Sequence, residues 1–345
     1  MKRREWMRVF GGGAAMGLSG CGTSSSGGSG RKWTSEALSS IDTVIQRNGC
    51  RGWGAWEQGS LKESWRTQES GGILSITKVL AALACAKAAG EGWLSADEKV
   101  ALTISEWQGD GDKEAVTVQM LLQMTAGLEG GAKALYRGNI SDKGKVAVGL
   151  RLVDSPGAQF RYGPACWEVL AELLQRKTVA RGETLEKFLH RGVMRPIGLH
   201  SRDWRSDGKG RFFLSTGAEL SVTDLGRLGR TLLDLLSGRD TAGFFARDFK
   251  TMTRSSSANP IFGGGLWRNR NAGRGRPVEI EDVLDPPKDA SFWRNACLSN
   301  RQPASMVSLV GSAGQRIFIW PDEGRVVARL GFSRSWKDLP LMAVL

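Results

Sequence analysis

The segment ILSITKVLAALACAKAA (73–89) limits the possible folds more than any other stretch. Its alanine and leucine content predicts a helix from about Ser75 to Ala89. That helix is apolar almost all round, so it must be buried on every side and the rest of the chain must wrap it. Polar side chains, Ser75 and Lys78 among them, are carried into that interior. With 345 residues, 41% of them hydrophobic and 24% charged, the chain has enough material for one large core around such a helix.

The surrounding patterns supply a sheet and more helices. Residues 34–48 repeat Leu38, Ile41, Val44 and Ile45 at helical spacing. Residues 51–66 read as two strands about a Gln58-Gly59 turn. Asp97 opens a further helical segment, and 116–128 has a strand-like start and then a helix ending at Gly127. Residues 164–177 and 183–194 are predicted helical, with Pro164 suited to a first turn. An amphipathic helix spans Thr223 to Leu236. Strands are expected at 305–310, 315–320 and 325–332, the last two joined by Pro321-Asp322-Glu323-Gly324. Strands near both ends with helices between them predict one α/β domain whose sheet joins N- and C-terminal segments. No internal repeat occurs, and no run of 18 apolar residues predicts a spanning helix.

The first residues read as an address. MKRREWMRVFGGGAAMGLSGC has a charged start, a short weakly apolar stretch and small residues before a cysteine. Arg3-Arg4-Glu5-Trp6-Met7-Arg8 resembles a twin-arginine export motif, and Leu18-Ser19-Gly20-Cys21 resembles a bacterial lipobox. The expected organisation is an export signal over 1–20, a lipidated Cys21 with a flexible tether over 21–33, and a catalytic domain over 34–345. The protein would then be an exported lipoprotein on the periplasmic face of a bacterial membrane, anchored through the lipid on Cys21. An enzyme there works without ATP, which favours hydrolysis or group transfer.

Composition removes several function classes. The net charge of +13 is partly owed to Lys2, Arg3, Arg4 and Arg8, and no dense Lys/Arg run follows, so no nucleic-acid partner is expected. His190 and His200 are the only histidines, which argues against a His-rich zinc site. Neither G-x-S-x-G, a P-loop nor H-E-x-x-H occurs. Cys50, Cys85, Cys166 and Cys297 are widely spaced, with no C-x-x-C pair, and are expected as buried free thiols. No metal or organic cofactor is expected.

The chemistry centres on Ser75-Ile76-Thr77-Lys78. A serine and a lysine three apart share a helix face, so the amine can reach the hydroxyl. A serine opening a buried helix has an unpaired backbone N–H to offer an oxyanion. Burial and the positive helix end lower the pKa of the lysine, so that it can act as a base. S-x-x-K alone is a weak motif.

Several blocks in order make it specific. ILSITKVLAALACAKAAGEGWLSADEKV, VTVQMLLQMTAGL, FRYGPACWEVLAELL, MRPIGLHSRDW, STGAELSVTDLGRLGRTLL, FGGGLW and QRIFIWPDEGRVVARLG together span about 50–335. They resemble the serine β-lactamase and penicillin-binding superfamily, in its class C β-lactamase and family VIII esterase branch. The resemblance implies a β-lactamase/transpeptidase-like fold, α/β (α+β). It has an antiparallel sheet of N- and C-terminal segments, flanking helices and a mainly helical insertion. It implies Ser75 as the acylated nucleophile, Lys78 as its base partner and Tyr162 as second base or proton shuttle. The alternative for Tyr162 is a capping residue before the Pro164 helix. Gly311-Ser312-Ala313-Gly314-Gln315 resembles the G-x-x-G-Q form of esterase and oligoamide-hydrolase relatives. Ser312 N–H would complete an oxyanion hole with Ser75 N–H, with Gly311, Gln315 and Trp167 beside the substrate.

Two departures redirect the expected activity. Pro164 stands where the family has the Asn of Y-x-N. Leu309-Val310 stand where many members have Lys-Thr. Both weaken a β-lactamase or D-Ala-D-Ala carboxypeptidase reading. They leave the nucleophile, base and oxyanion donors in place, so the expected function is ester or simple amide hydrolysis. The substrate would be a small ester or amide or a cell-wall-derived molecule. A non-catalytic envelope-binding protein of the same fold is the alternative outside enzymes. Ser141-Asp142-Lys143, which resembles the S-D-N of other branches, is expected to be a polar loop. Trp107, Trp204, Trp267, Trp293 and Trp320 are expected mainly in the core.

Overall fold

The computed structural model describes residues 33–46 and 49–345; the segment expected as an export signal (1–20), Cys21 and the expected tether up to residue 32 lie outside the described residues. Trp33–Leu345 is a single compact unit. It opens with α1 (Ser35–Gln46), β1 (Cys50–Glu57) and β2 (Ser60–Trp65). The β1–β2 turn uses Gln58 and Gly59, both at positive φ. A single 3₁₀ turn, Leu74–Ile76, then leads into α2 (Thr77–Gly90). In α2 even Lys78 is buried, as a helix without a polar face requires.

Helices fill the middle of the chain: α3 (Val118–Gln123), α4 (Lys143–Val148), α5 (Ala165–Val179), α6 (Leu185–Leu189) and α7 (Val222–Leu236). Pro164 is the N-cap residue of α5. Ser221 and Asp224 close a reciprocal capping box on α7, which fixes where that helix begins. A short hairpin, β3 (Phe262–Gly263) and β4 (Leu266–Arg268), precedes β5 (Val307–Gly311), β6 (Gln315–Trp320) and β7 (Arg325–Gly331).

These seven strands form one sheet in the order β2-β1-β7-β6-β5-β4-β3, and every neighbouring pair is antiparallel. The first strand therefore pairs with the last, β2 flanks it at the sheet edge, and helical structure lies between the two ends in sequence. This is the single α/β domain expected from the end segments, with the antiparallel sheet of the β-lactamase/transpeptidase-like fold that the resemblance implies. Strands β5, β6 and β7 are buried along their whole length, because helices cover the sheet. The five tryptophans named above are each at most 6% exposed.

Three local expectations change. The helix of 116–128 is shorter: α3 stops at Gln123 because Met124 adopts a left-handed conformation, and the strand-like start is one bridge between Lys99 and Thr117. The helix of 183–194 runs only through α6 before widening into a π turn over His190–Met194. Ser141-Asp142-Lys143 is not a loop without a helix behind it. Asp142 caps α4, and Lys143 is buried.

Candidate active site

The 3₁₀ turn sets Ser75 half-buried at the mouth of α2, with Lys78 just inside. The turn enters through Leu74 at φ +50°, a strained value for leucine that redirects the chain from extended to helical. Lys78 is 1% exposed. Its Nζ donates to Ser75 Oγ at 2.9 Å and to the Ser215 carbonyl at 2.7 Å. Ala218 N donates to Thr77 Oγ1 at 3.2 Å, so residues 215–218 are strapped across the start of α2. On another side, Gly265 (φ +83°) lies so close that a Cβ there would sit 2.9 Å from Val79 N. Only glycine fits both that angle and that gap.

Among the described residues no carboxylate is in ion-pair contact with Lys78. Burial therefore dominates and lowers its pKa to about 7; the negative charge of Glu168 pulls the other way. A substantial fraction of the amine is neutral near pH 7, while it holds a hydrogen bond to a hydroxyl it can deprotonate.

Tyr162 lies beside this pair, with Lys78 Nζ 5.1 Å from the ring centroid. The ring packs among Phe160, Phe262 and Trp267. Burial pushes the phenol up to about 12, against an opposing interaction with the Ser75 side chain. At neutral pH the phenol keeps its proton.

Gly311 ends β5 against the Ser75 turn. A Cβ on it would lie 2.5 Å from the Ile73 carbonyl, so a side chain here would force the strand away from Ser75. Ser312 follows, exposed, at the start of a tight turn through Ala313 (φ +59°) and Gly314 (φ +79°). Two buried arginines fix this turn. Arg316 Nη1 donates to the Gly311 carbonyl at 2.7 Å, and Arg329 Nη1 donates to the Gly314 carbonyl at 2.5 Å. Arg316 is itself held by Asp338 and Glu281.

Two expected substrate-side residues point elsewhere. Gln315 is buried, and its side-chain amide is used by Gly331: Nε2 donates to the Gly331 carbonyl at 2.8 Å and Oε1 accepts from Gly331 N at 2.9 Å. Trp167 is 0% exposed within α5. Neither can touch a substrate without unpacking the core.

Sequence reasoning passed over the residues behind Lys78. Glu168 Oε1 accepts from Ser215 N at 2.8 Å, and Oε2 accepts from Lys143 Nζ at 2.8 Å. Glu168 and Lys143 are both buried. Tyr136 stands near Ser215, Glu168 and Tyr162, and burial raises its phenol. The one available signal was Glu168 inside the otherwise apolar run ACWEVLA; its pairing with Lys143, 25 residues away, has no sequence periodicity. Cys50, Cys85, Cys166 and Cys297 are buried and unpaired. Among the described residues no group of three or more His, Cys, Asp or Glu side chains is arranged to hold a metal ion.

The model of the beta-lactamase family matches residues 43–337, most of the chain. The chain belongs to the beta-lactamase family. Solved structures with the same fold include a candidate beta-lactamase from Bacteroides dorei DSM 17855 (TM-score 0.64, 19% identity, covering 87% of this chain and 91% of that one). A candidate 6-aminohexanoate-dimer hydrolase from Bacillus anthracis is similar (TM-score 0.64, 14% identity, 88% and 78%). So is EstCE1, described as a hydrolase with promiscuous acyltransferase activity (TM-score 0.63, 15% identity, 90% and 98%). No curated protein matches the chain. In this beta-lactamase-family chain, the Ser75, Lys78 and Tyr162 cluster lies within the matched residues.

Proposed function

We propose that the protein is a serine hydrolase that forms an acyl-enzyme from an ester or simple amide. The observation that carries this reading is the 2.9 Å contact of Ser75 Oγ with a buried amine whose pKa lies near 7. Lys78 takes the Ser75 proton as Oγ attacks the carbonyl carbon. The N–H groups of Ser75 and Ser312 receive the developing oxyanion. The bond to the leaving group breaks, and Lys78 returns the proton to it through Tyr162, whose phenol is neutral at this pH. Water then attacks the acyl carbon, the acid departs and Ser75 regains its proton.

Leu309 and Val310 favour esters and simple amides over β-lactams and D-Ala-D-Ala peptides. They are buried in β5 and supply neither a cation nor a hydroxyl to a substrate carboxylate. Pro164, whose side chain has no hydrogen-bonding group, points the same way and also motivates the non-catalytic envelope-binding alternative. The export motif and lipobox support an exported lipoprotein held at a membrane by Cys21, acting on small or cell-wall-derived molecules; Cys21→Ala should release it to the soluble fraction.

A fluorophosphonate probe tests the catalytic reading. Label on Ser75, with p-nitrophenyl ester turnover lost in Ser75→Ala, supports it. Absence of label, together with binding to cell-wall fragments, favours the binding protein. Nitrocefin turnover exceeding that of short-chain esters would restore the β-lactamase reading.

A further inference from the structure

Lys78 needs something to hold it, because Pro164 offers no polar side chain at the head of α5. One turn further along α5, Glu168 N donates to the Pro164 carbonyl at 3.0 Å, and the Glu168 carboxylate is wholly buried. That carboxylate accepts from Ser215 N, and the Ser215 carbonyl accepts from Lys78 Nζ. Its other oxygen meets Lys143, which is 2% exposed. Lys143 is anchored in turn: its backbone N–H donates to Asp207, and its ammonium lies 5.6 Å from the centre of the Phe213 ring.

We propose that the buried Glu168–Lys143 pair is the positioning device for the base of this site: it fixes Ser215 so that its carbonyl holds Lys78 against Ser75, and its balance of charge sets the pH at which Lys78 becomes a base. The inference rests on the reading of Lys78 as that base. Ser215 is clamped from behind by a carboxylate and presents its carbonyl forward, so the amine has one fixed acceptor besides the nucleophile. The titratable groups about Lys78 are Tyr162 beside it, Glu168 from α5 and, through Glu168, Lys143 from α4; Tyr136 stands against Glu168 and Ser215. Glu168 raises the pKa of Lys78, and the Lys143 ammonium, 2.8 Å from that carboxylate, offsets part of its field. Unpaired, either leaves a full buried charge close to Lys78, where little water screens the field.

The signs differ for the two partners, and that separates tuning from scaffolding. Glu168→Gln keeps an acceptor for Ser215 N but leaves the Lys143 cation uncompensated, so Lys78 deprotonates more easily. The acid limb of kcat/KM for a p-nitrophenyl ester should move down by about one pH unit or more, with kcat reduced as the amine becomes a weaker base. Lys143→Met leaves the Glu168 anion uncompensated and should move the limb up by a similar amount. The double variant Lys143→Met/Glu168→Gln buries no lone charge and should return the limb toward that of the unaltered protein. It keeps the test open where a single variant fails to fold. Limbs that stay put in the folded variants, shift the same way in both singles, or remain displaced in the double would overturn the proposal. Failure of the underlying reading looks different: Lys78→Met would then retain ester turnover and Ser75 labelling, whatever the Glu168 variants do.

Discussion

Two lysines are buried to the same degree in this molecule and in opposite company. Lys143 meets the Glu168 carboxylate at 2.8 Å, a compensated cation deep in the helical region. Lys78 meets a hydroxyl and a peptide carbonyl, with no carboxylate in contact, and its pKa lies near 7. Burial is common to both; the partner makes one a structural ion and suits the other to the role of base proposed for it. A buried cation that lacks a counter-ion weighs against stability, and such groups collect where chemistry needs them.

The largest effect should come from giving both lysines the same replacement. Lys78→Met should abolish ester turnover without lowering the melting temperature, because it removes an amine that was costly to bury. Lys143→Met should cost about 3–5 kcal/mol in denaturant unfolding, since it strands the Glu168 charge. Equal stability losses in the two variants would break the comparison.

Second comes the pH profile of the unaltered protein. The folded-state pKa of Lys78 lies below its ordinary value, so the neutral, reactive amine is lost as pH falls through about 7 and present above it. The phenol, at about 12, keeps its proton well above neutrality. Thus kcat/KM should rise through pH 7 and stay level to at least pH 10; a limb near 4 would point to a carboxylate base instead.

Third, Gly265→Ala puts a methyl against the Val79 backbone at a φ that alanine resists. The strain should cost about 1–3 kcal/mol and displace Lys78, with a larger loss in kcat than in binding. The smallest effect on function belongs to Gln315→Ala. It should cost about 1–2 kcal/mol of stability by freeing the Gly331 N–H and carbonyl, with KM unchanged. A raised KM would return Gln315 to the substrate side.

What the sequence made legible follows physical range. The helix that follows Ser75 could be read because being apolar on all sides has one solution, the middle of the core. Strands β5 to β7 could be read from their apolar runs and the Pro321–Gly324 turn. The spacing of Ser75 and Lys78 is local to one helix face, so their contact was legible too. Gln315 and Trp167 were misplaced because side-chain direction depends on strand register and helix rotation, which tertiary packing sets. The Glu168–Lys143 pair and the Ser215 carbonyl were invisible because distant segments create them. Lys143 in particular reads as a polar loop until α5 is laid beside it.

The order of strands has a further consequence in time. β1 lies between β2 and β7, and the Ser312 turn joins β5 to β6, so Ser75 is synthesised long before the segments that complete its surroundings. A chain still leaving a ribosome carries Ser75 on an unfinished scaffold. It should acquire reactivity toward acyl donors only once Arg325–Gly331 has docked, which makes covalent labelling of Ser75 a clock for the final act of folding.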